Sequence, residues 1–290
     1  MFESPVSKRT VFFAIIISLF VTIIIFFNNF FDERTKIVFC NVGQGDSAYI
    51  RIKNKIDILI DAGPDKSVLS CLGNYMPFWD RKIEMASLSH PNNDHYNGYF
   101  FISDRYQIDK FITVDSPIVS KTYKKLLQKI SGKNIPLSFK FSGDKIIVKD
   151  GQFMFYWPPK YFNSSNDNDY SAVFSFEENN FRALFTGDAS PFVLGRLSHP
   201  VGVLRAKPLQ HIDILKVPHH GSKNGLTKIF LDLADPEVAV ISVGKNNSYG
   251  HPSKKVLEML EAHKVKVKRT DLNGNIVFKI PNSKLQITNK

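Results

Sequence analysis

Hydrophobic and polar positions fall into two regimes along the chain. From Val11 to Phe27 the sequence is apolar, with no charge, Gly or Pro, and Ser18 and Thr22 are its polar positions. As a helix this run would extend ~26 Å, close to the ~30 Å of a bilayer core, and Phe30 and Phe31 add to its reach. A core helix of such length would show a polar face. The pattern therefore predicts a membrane-inserted helix. Asn28, Asn29, Phe30, Phe31 and Asp32 lack the small-residue pattern of a signal-peptide cleavage site, so the anchor is expected to be retained. Before the run, Lys8, Arg9 and the amino terminus outweigh Glu3; after it, Asp32 and Glu33 offset Arg34 and Lys36. The positive-inside tendency then puts the N-terminus in the cytoplasm. Residues 32–290 are expected on the extracytoplasmic side of the cell membrane, held by a single pass.

The second regime is short β-branched or aromatic runs bounded by Gly, Asn, Asp or Pro. They predict strands at 36–42, 47–52, 56–61, 85–89, 145–148, 152–157, 172–176, 181–186, 212–217, 238–243 and 275–280. Helical spacing appears at 121–130, 226–233 and 253–263, the last capped by Ser253 before Val256, Leu257 and Leu260. Strands interspersed with helices predict stacked layers with helices covering sheet faces. With no linker, repeat or low-complexity stretch after the anchor, residues 1–31 read as cytoplasmic tip and anchor, and 32–290 as one domain.

Composition changes this picture little. Hydrophobic residues at 43% and charged residues at 22% exclude a mostly disordered chain. The formal charge of +11 permits nucleic acid, anionic lipid or another polyanion as partner, although a bias toward Lys, Asn, Ile and Phe accounts for part of it. Cys40 and Cys71 are too few for a disulfide framework or a Cys-based zinc ribbon. One bridge is open to them, but they are expected as two small buried apolar residues.

Candidate chemistry sits where strands end. Five of the eight histidines, His90, His95, His219, His220 and His251, lie beside strand ends in polar, Gly-rich or Pro-containing turns. His90, Asp94 and His95 follow the strand at 85–89 and offer two imidazoles and a carboxylate within six residues. Such a nitrogen and oxygen set suits Zn, Mn or Fe and lacks the thiolates of a structural zinc site. Gly187-Asp188 follows the strand at 181–186, with Asp188 able to bridge two ions. His219-His220-Gly-Ser222 follows the strand at 212–217. Adjacent histidines on an extended backbone do not face one ion, so one of the pair is expected to ligate and the other to orient or bind substrate.

These motifs resemble those of the metallo-β-lactamase superfamily: His90-Pro-Asn-Asn-Asp94-His95, Gly187-Asp188 and His219-His220-Gly-Ser. Further matches are Asn41-Val-Gly-Gln-Gly-Asp46-Ser, Ile60-Asp61-Ala-Gly, Asn168-Asp-Tyr-Ser171, the stretch from Val243 through Asn247, Tyr249 and His251 to Ser253, and Arg269-Thr270 with Gly274. In this order they are similar to the C-terminal domain of ComEC-type DNA-uptake proteins of natural competence, over about Lys36 to Ile280. The resemblance implies an αββα sandwich of the α/β (α+β) class, here behind one N-terminal transmembrane helix. It implies a metal-dependent hydrolase, and within the subgroup a nuclease acting on the DNA strand that does not enter the cell. The multi-span channel portion of such proteins has no counterpart in the one membrane segment read here. The chain is therefore expected either to partner a separate multi-span channel protein or to work independently.

The superfamily pattern His-x-His-x-Asp-His is departed from at Asn92, and no histidine lies between His95 and Asp188. One metal position keeps Asp94, His95, Asp188 and one of His219 or His220. The other keeps His90, the Asp188 bridge and the neutral oxygen of Asn92. The expectation is one well-held ion, Zn or Mn, and a second that is weak or absent. Asp94 is expected to orient the attacking water as well as ligate, with Lys216, Lys223 or His251 meeting developing charge or the leaving oxygen. Asp46 and Asp61 are read as groups that orient a ligand histidine or cap turns. Asn168, Ser171, Ser222, Asn247 and Tyr249 are read as substrate contacts or loop hydrogen-bonders, Tyr249 as a residue on which a base would stack. Two rival functions share the fold: a hydrolase of a small ester, thioester, lactone or lactam, and a non-catalytic DNA-binding module.

Overall fold

The computed structural model describes residues 7–30, 33–198, 209, 211–280 and 286–288. Glu3, Phe31 and Asp32, which entered the reading of the anchor, lie outside the described residues. Helix α1 covers Lys8–Phe30. Its described side chains, those of residues 8–24, are exposed, large apolar ones such as Phe12, Ile17 and Phe20 among them. Among the described residues no helix is long and apolar enough to cross a membrane.

After α1 the chain forms an antiparallel meander of β1 (Lys36–Phe39), β2 (Ala48–Ile52) and β3 (Ile56–Ile60). Helix α2 (Ser67–Tyr75) leads to β4 (Lys82–Ile83) and β5 (Met85–Ser87). The short α3 (Asn93–Tyr96) and α4 (Tyr99–Arg105) precede β6 (Gln107–Ile108) and β7 (Phe111–Thr113), and α5 (Lys121–Gly132) precedes β8 (Leu137–Phe139). A second meander follows: β9 (Lys145–Val148), β10 (Gly151–Trp157), β11 (Val173–Glu178) and β12 (Phe181–Phe185). Helices and parallel strands then alternate: α6 (Pro191–Ser198), β13 (Ile214–Lys216), α7 (Lys228–Ala234), β14 (Val238–Ile241), α8 (Lys254–Ala262) and β15 (Lys266–Arg269). Finally α9 (Thr270–Asn273) and strands β16 (Ile276–Lys279) and β17 (Gln286–Thr288) return to the first sheet.

Among the described residues two large sheets form, in the orders β17-β16-β1-β2-β3-β5-β7-β8 and β15-β14-β13-β12-β11-β10-β9. Period-2 alternation sets the layers. Ile37 and Phe39 of β1 point between the sheets and pack with Phe153, Phe155, Phe174 and Phe176 of the other sheet. Val38 and Cys40 point outward, into a core shared with Val68 and Leu72 of α2, Ile102 of α4 and Leu126 of α5. On the far side Leu184, Leu215 and Ile241 meet Val193 of α6, Phe230 of α7 and Leu260 of α8. Helix, sheet, sheet, helix is the resulting order.

The cysteine expectation is corrected. Cys40 and Cys71 are buried but joined in a disulfide, because β1 and α2 pack face to face with these Cα atoms 5.7 Å apart. The structure also adds α2, α3, α4, α6, α9, β4, β6, β7, β8, β15 and β17 to the elements that the sequence pattern predicts.

Candidate metal centre

Strand direction gathers the site. β3, β5, β12, β13 and β14 all end toward one edge of the sandwich, and their parallel pairings keep those ends level. Loops beyond the carboxyl ends of such strands form the crevice where α/β folds place ligands. Asp61 follows β3, Ser89 and His90 follow β5, and Asp94 and His95 stand on α3. Asp188 follows β12, His219 and His220 follow β13, and His251 lies in the loop after β14.

Two short turns aim these side chains. Gly187 has φ +48°, and a Cβ there would meet the Ser89 Cβ at 3.0 Å, so the Asp188 turn seats directly on the loop that carries His90. The Asp188 N–H donates to Ser171 Oγ at 3.1 Å, which fixes the carboxylate. His219 and His220 both adopt left-handed backbone, at φ 51° and 52°. That conformation is disfavoured for a non-glycine residue. It also removes the premise that the pair is extended: the Nε2 atoms of His219 and His220 lie 3.9 and 3.5 Å from the same atom, Asp188 Oδ2.

Asp94, His95, Asp188 and His220 each bring one ligand atom into a cluster within 4.8 Å of one another. His95 Nε2 is 3.4 Å from Asp188 Oδ1, and His220 Nε2 is 3.1 Å from Asp94 Oδ2. The other ring nitrogens hold the imidazoles in place. His95 Nδ1 donates to Asp61 Oδ2 at 2.9 Å, and His220 Nδ1 donates to the Ser242 carbonyl at 2.9 Å. Each bond turns Nε2 toward the cluster, where it would offer its lone pair to a cation once its proton is lost. Asp61 is itself held by the Ser89 N–H and hydroxyl, at 2.7 and 2.8 Å. His90 stands beside this group, its Nε2 4.0 Å from Asp188 Oδ2. His90 Nε2, His95 Nε2 and Asp188 Oδ1 are buried without a hydrogen bond. Buried polar atoms left so are costly unless something else satisfies them, and a cation fits this nitrogen and oxygen set.

Charge within the cluster points the same way. Burial pushes His90 down to about 3, with His95 adding to it. Burial also opposes a proton on His95 and His220. There the carboxylates win, led by Asp188, and both imidazoles are held well above the usual histidine value. Burial would raise Asp94 and Asp188, but His95 and His220 outweigh it and hold both below the usual carboxylate range. Asp61 is raised by burial despite His95. The carboxylates of Asp46, Asp61, Asp94 and Asp188 are thus balanced by imidazolium and by Lys216, which is 3% exposed.

Lys216 is packed among these carboxylates. Its ammonium contacts Asp46, donates to the Gly187 carbonyl at 2.8 Å and lies 3.8 Å from Asp188 Oδ1. With these partners it braces the carboxylates of Asp46 and Asp188. Asn247 is likewise a staple of its own loop, donating to the Gly244 and His251 carbonyls and accepting from the Tyr249 and His251 N–H groups. Asn92 donates to Asn168 Oδ1 at 3.3 Å, tying α3 to the segment before β11. Ser222 is buried, and its Oγ accepts from the Asn224 N–H, while Lys223 is exposed. Tyr249, 70% exposed, stacks on His251 with ring centroids 5.6 Å apart, and His251 in turn lies 5.8 Å from His219. Sequence reasoning did not single out Ser89 or the Ser242 carbonyl. Ser89 stands directly before His90 at a strand end, which is a weak signal, and a backbone carbonyl leaves none.

The sequence is 29% identical over 259 residues to ComE operon protein 3 of Bacillus subtilis, covering 83% of this chain and 32% of that protein. It is 28% identical over 251 residues to Recombination protein 2 of Haemophilus influenzae, covering 85% and 29%. The chain thus spans about a third of the length of these relatives. No protein-family model matches it. In structure it is similar to the metallo-β-lactamase fold protein YhfI from Bacillus subtilis, with TM-score 0.59, 13% identity and coverage of 85% of this chain and 100% of that one. Zn(2+)-bound PqqB from Methylobacterium extorquens matches with TM-score 0.53 and 10% identity, over 82% and 88%. The chain has the metallo-β-lactamase fold.

Proposed function

We propose that the protein is a metal-dependent phosphodiesterase acting on DNA, of the ComEC type, anchored by α1 with residues 32–290 outside the cell membrane. The observation that carries the reading is the meeting of Asp94, His95, Asp188 and His220 at the strand ends. Similarity over more than four-fifths of the chain to ComE operon protein 3 directs it toward DNA uptake. The Cys40–Cys71 disulfide supports the extracytoplasmic side, since such bonds persist in oxidising compartments. A separate multi-span channel would take the cleaved duplex's surviving strand inward.

Zn or Mn suits the donors, and a divalent ion here would supply Lewis acidity, acidifying water and polarising a phosphoryl oxygen. Asp94 has the most open carboxylate of the ligand set, with 34% of its side chain exposed against 4% for Asp188. It faces incoming water, and His220 fixes the orientation of its Oδ2. Asp61 and Ser242 keep the His95 and His220 lone pairs on the cluster. Tyr249 and His251 form an aromatic step from solvent to His219, on which a base would stack beside the scissile phosphate. Asp94, His95, Asp188 and His220 would hold one ion well. His90, Asp188 and the neutral oxygen of Asn92 would hold a second weakly, since Asn92 supplies no charge.

The test is incubation of the purified full chain with Mn or Zn and single-stranded DNA, double-stranded DNA or a small ester. The expected outcome is DNA cleavage that falls at least 100-fold in Asp94→Ala, in line with the loss of a group that acts in the transition state. Cleavage of the ester alone, or DNA binding without turnover in both proteins, overturns the reading.

A further inference from the structure

An aromatic and basic surface flanks the metal centre on the side away from Tyr249. β10 pairs antiparallel with β11, and β11 with β12, so β10 and β12 run the same way and both end at the edge where the metal ligands stand. The residues that follow the two strands meet there. Trp157, the last residue of β10, donates its Nε1–H to the Asp169 carbonyl at 2.6 Å. The Asp169 carboxylate accepts from Ser190 Oγ, two residues beyond Asp188. Phe162 packs on Trp157 and Tyr170, with ring centroids 4.8 and 5.2 Å apart. Phe192, in the first turn of α6, lies against Phe162 at 6.3 Å. A row of rings thus runs from the buried Trp157 out to Phe192, which is 46% exposed. Beside Phe162 in the chain, Tyr161 is 92% exposed.

Each of the two exposed rings carries a cation. Lys160 Nζ lies 5.4 Å from the Tyr161 centroid, and the Arg196 guanidinium lies 5.3 Å from that of Phe192. Among the described residues neither cation pairs with a carboxylate. A cation over an exposed ring is weakly held, and its charge stays unneutralised. Ring faces for bases beside cations for phosphates are what a single nucleic-acid strand requires. Anionic lipid would offer the same charge, but position decides between them. The chain arrives from α1 at the start of β1, which runs parallel to β3 and therefore begins at the edge away from the metal ligands. In the sheet order β14-β13-β12-β11-β10, the rings after β10 and Tyr249 after β14 are four strand spacings apart, about 19 Å. Asp188 and His220, after β12 and β13, stand between them.

We propose that Tyr161 and Phe192, with Lys160 and Arg196, form a second platform for single-stranded DNA, so that the strand crosses the metal centre between this platform and Tyr249. The inference rests on reading the protein as a phosphodiesterase that acts on DNA.

Fluorescence anisotropy of the metal-free full chain tests it, with a labelled oligothymidine and an abasic strand of equal length as probes. Cleavage of the same oligothymidine with Mn is followed beside it. Tyr161→Ala is expected to weaken oligothymidine binding about 5- to 100-fold, the range for one stacked base, and abasic binding far less. Lys160→Gln combined with Arg196→Gln is expected to weaken binding of both strands and to lower the salt slope by about 1. A wild-type chain that cleaves oligothymidine, matched in affinity by both variants, overturns the platform and leaves the phosphodiesterase standing. A wild-type chain that neither binds nor cleaves overturns both. Equal losses on the two strands in Tyr161→Ala contradict stacking on that ring. An unchanged salt slope in the double variant places the phosphates elsewhere and contradicts the proposal as well.

Discussion

At the scale of single residues, the candidate centre works by dividing labour between atoms of one side chain. His95 uses Nδ1 to hold Asp61 and keeps Nε2 for the cluster; His220 does the same with the Ser242 carbonyl. Asp61 is the more informative of the two supports, because it can be changed without removing a ligand. Asp61→Asn keeps the shape but withdraws the negative charge that raises His95's basicity. A 10- to 100-fold loss of metal affinity is expected from losing such a support. Isothermal titration with Mn or Zn checks it, and unchanged affinity would show that Asp61 only caps its turn. Asp94, His95, Asp188 and His220, the four that meet in the cluster, stood out in the sequence because each follows a run of apolar strand residues. Which of the paired histidines joins the cluster was not legible, since it depends on left-handed backbone at both positions. Nor was the burial of Lys216 against Asp46, which needs the two sheets to be brought together.

At the scale of elements, the loops are held to one another by backbone contact as much as by side chains. Ala62 N–H donates to the His95 carbonyl at 2.7 Å, and Gly98 N–H donates to the Gly63 carbonyl at 3.0 Å. A Cβ at Gly98 would lie 1.9 Å from the Ala62 carbonyl oxygen. In a free helix Ala would be the better residue by about 1 kcal/mol. Here the clash is with backbone and wins, so Gly98→Ala is expected to destabilise by about 1–3 kcal/mol and to loosen the turn that carries His95. Thermal unfolding of the variant tests this; equal or higher stability would mean the contact relaxes freely. The longer strands were legible as β-branched or aromatic runs bounded by turn residues, and α5 and α8 from helical spacing, α8 with its Ser253 cap; the structure adds Ser120 as the cap of α5. Strands β7 and β8, of three residues each, are too short to show a period. Helix α4 carries Tyr99 and Phe100 where sequence propensity favours a strand, and packing against β7 decides otherwise. The bond between Cys40 and Cys71 likewise arises from the packing of β1 on α2, which spacing alone does not disclose.

At the scale of the whole molecule, the sandwich has a metal-ligand edge and an edge to which α1 is tethered. The net charge of +11 is not spread evenly in its effect. Lys129 and Lys133 of α5 pair with Asp104, and Lys254, Lys266 and Arg269 pair with Glu258, Glu237 and Asp271. Lys121, Lys124 and Lys125 are exposed at the start of α5, where Ser120 meets Tyr96 beside His95. Under the proposed action on DNA, these three lysines would follow a phosphate backbone toward the site. Replacing all three by Gln is expected to reduce the salt slope of single-stranded DNA binding by about 2, and an unchanged slope would assign the contacts elsewhere. The central claim is that the buried cluster holds a cation, and calorimetric titration of the metal-free full chain with Mn or Zn near pH 7 tests it most directly. His95 and His220 carry protons without the ion, and ligation requires them neutral. Uptake should therefore release protons, and affinity should rise with pH as those protons become easier to lose. The account predicts one tight equivalent with proton release, seen as a heat that changes with the buffer's ionisation enthalpy, and its loss in Asp188→Ala. No saturable binding, or binding indifferent to Asp188, would contradict it.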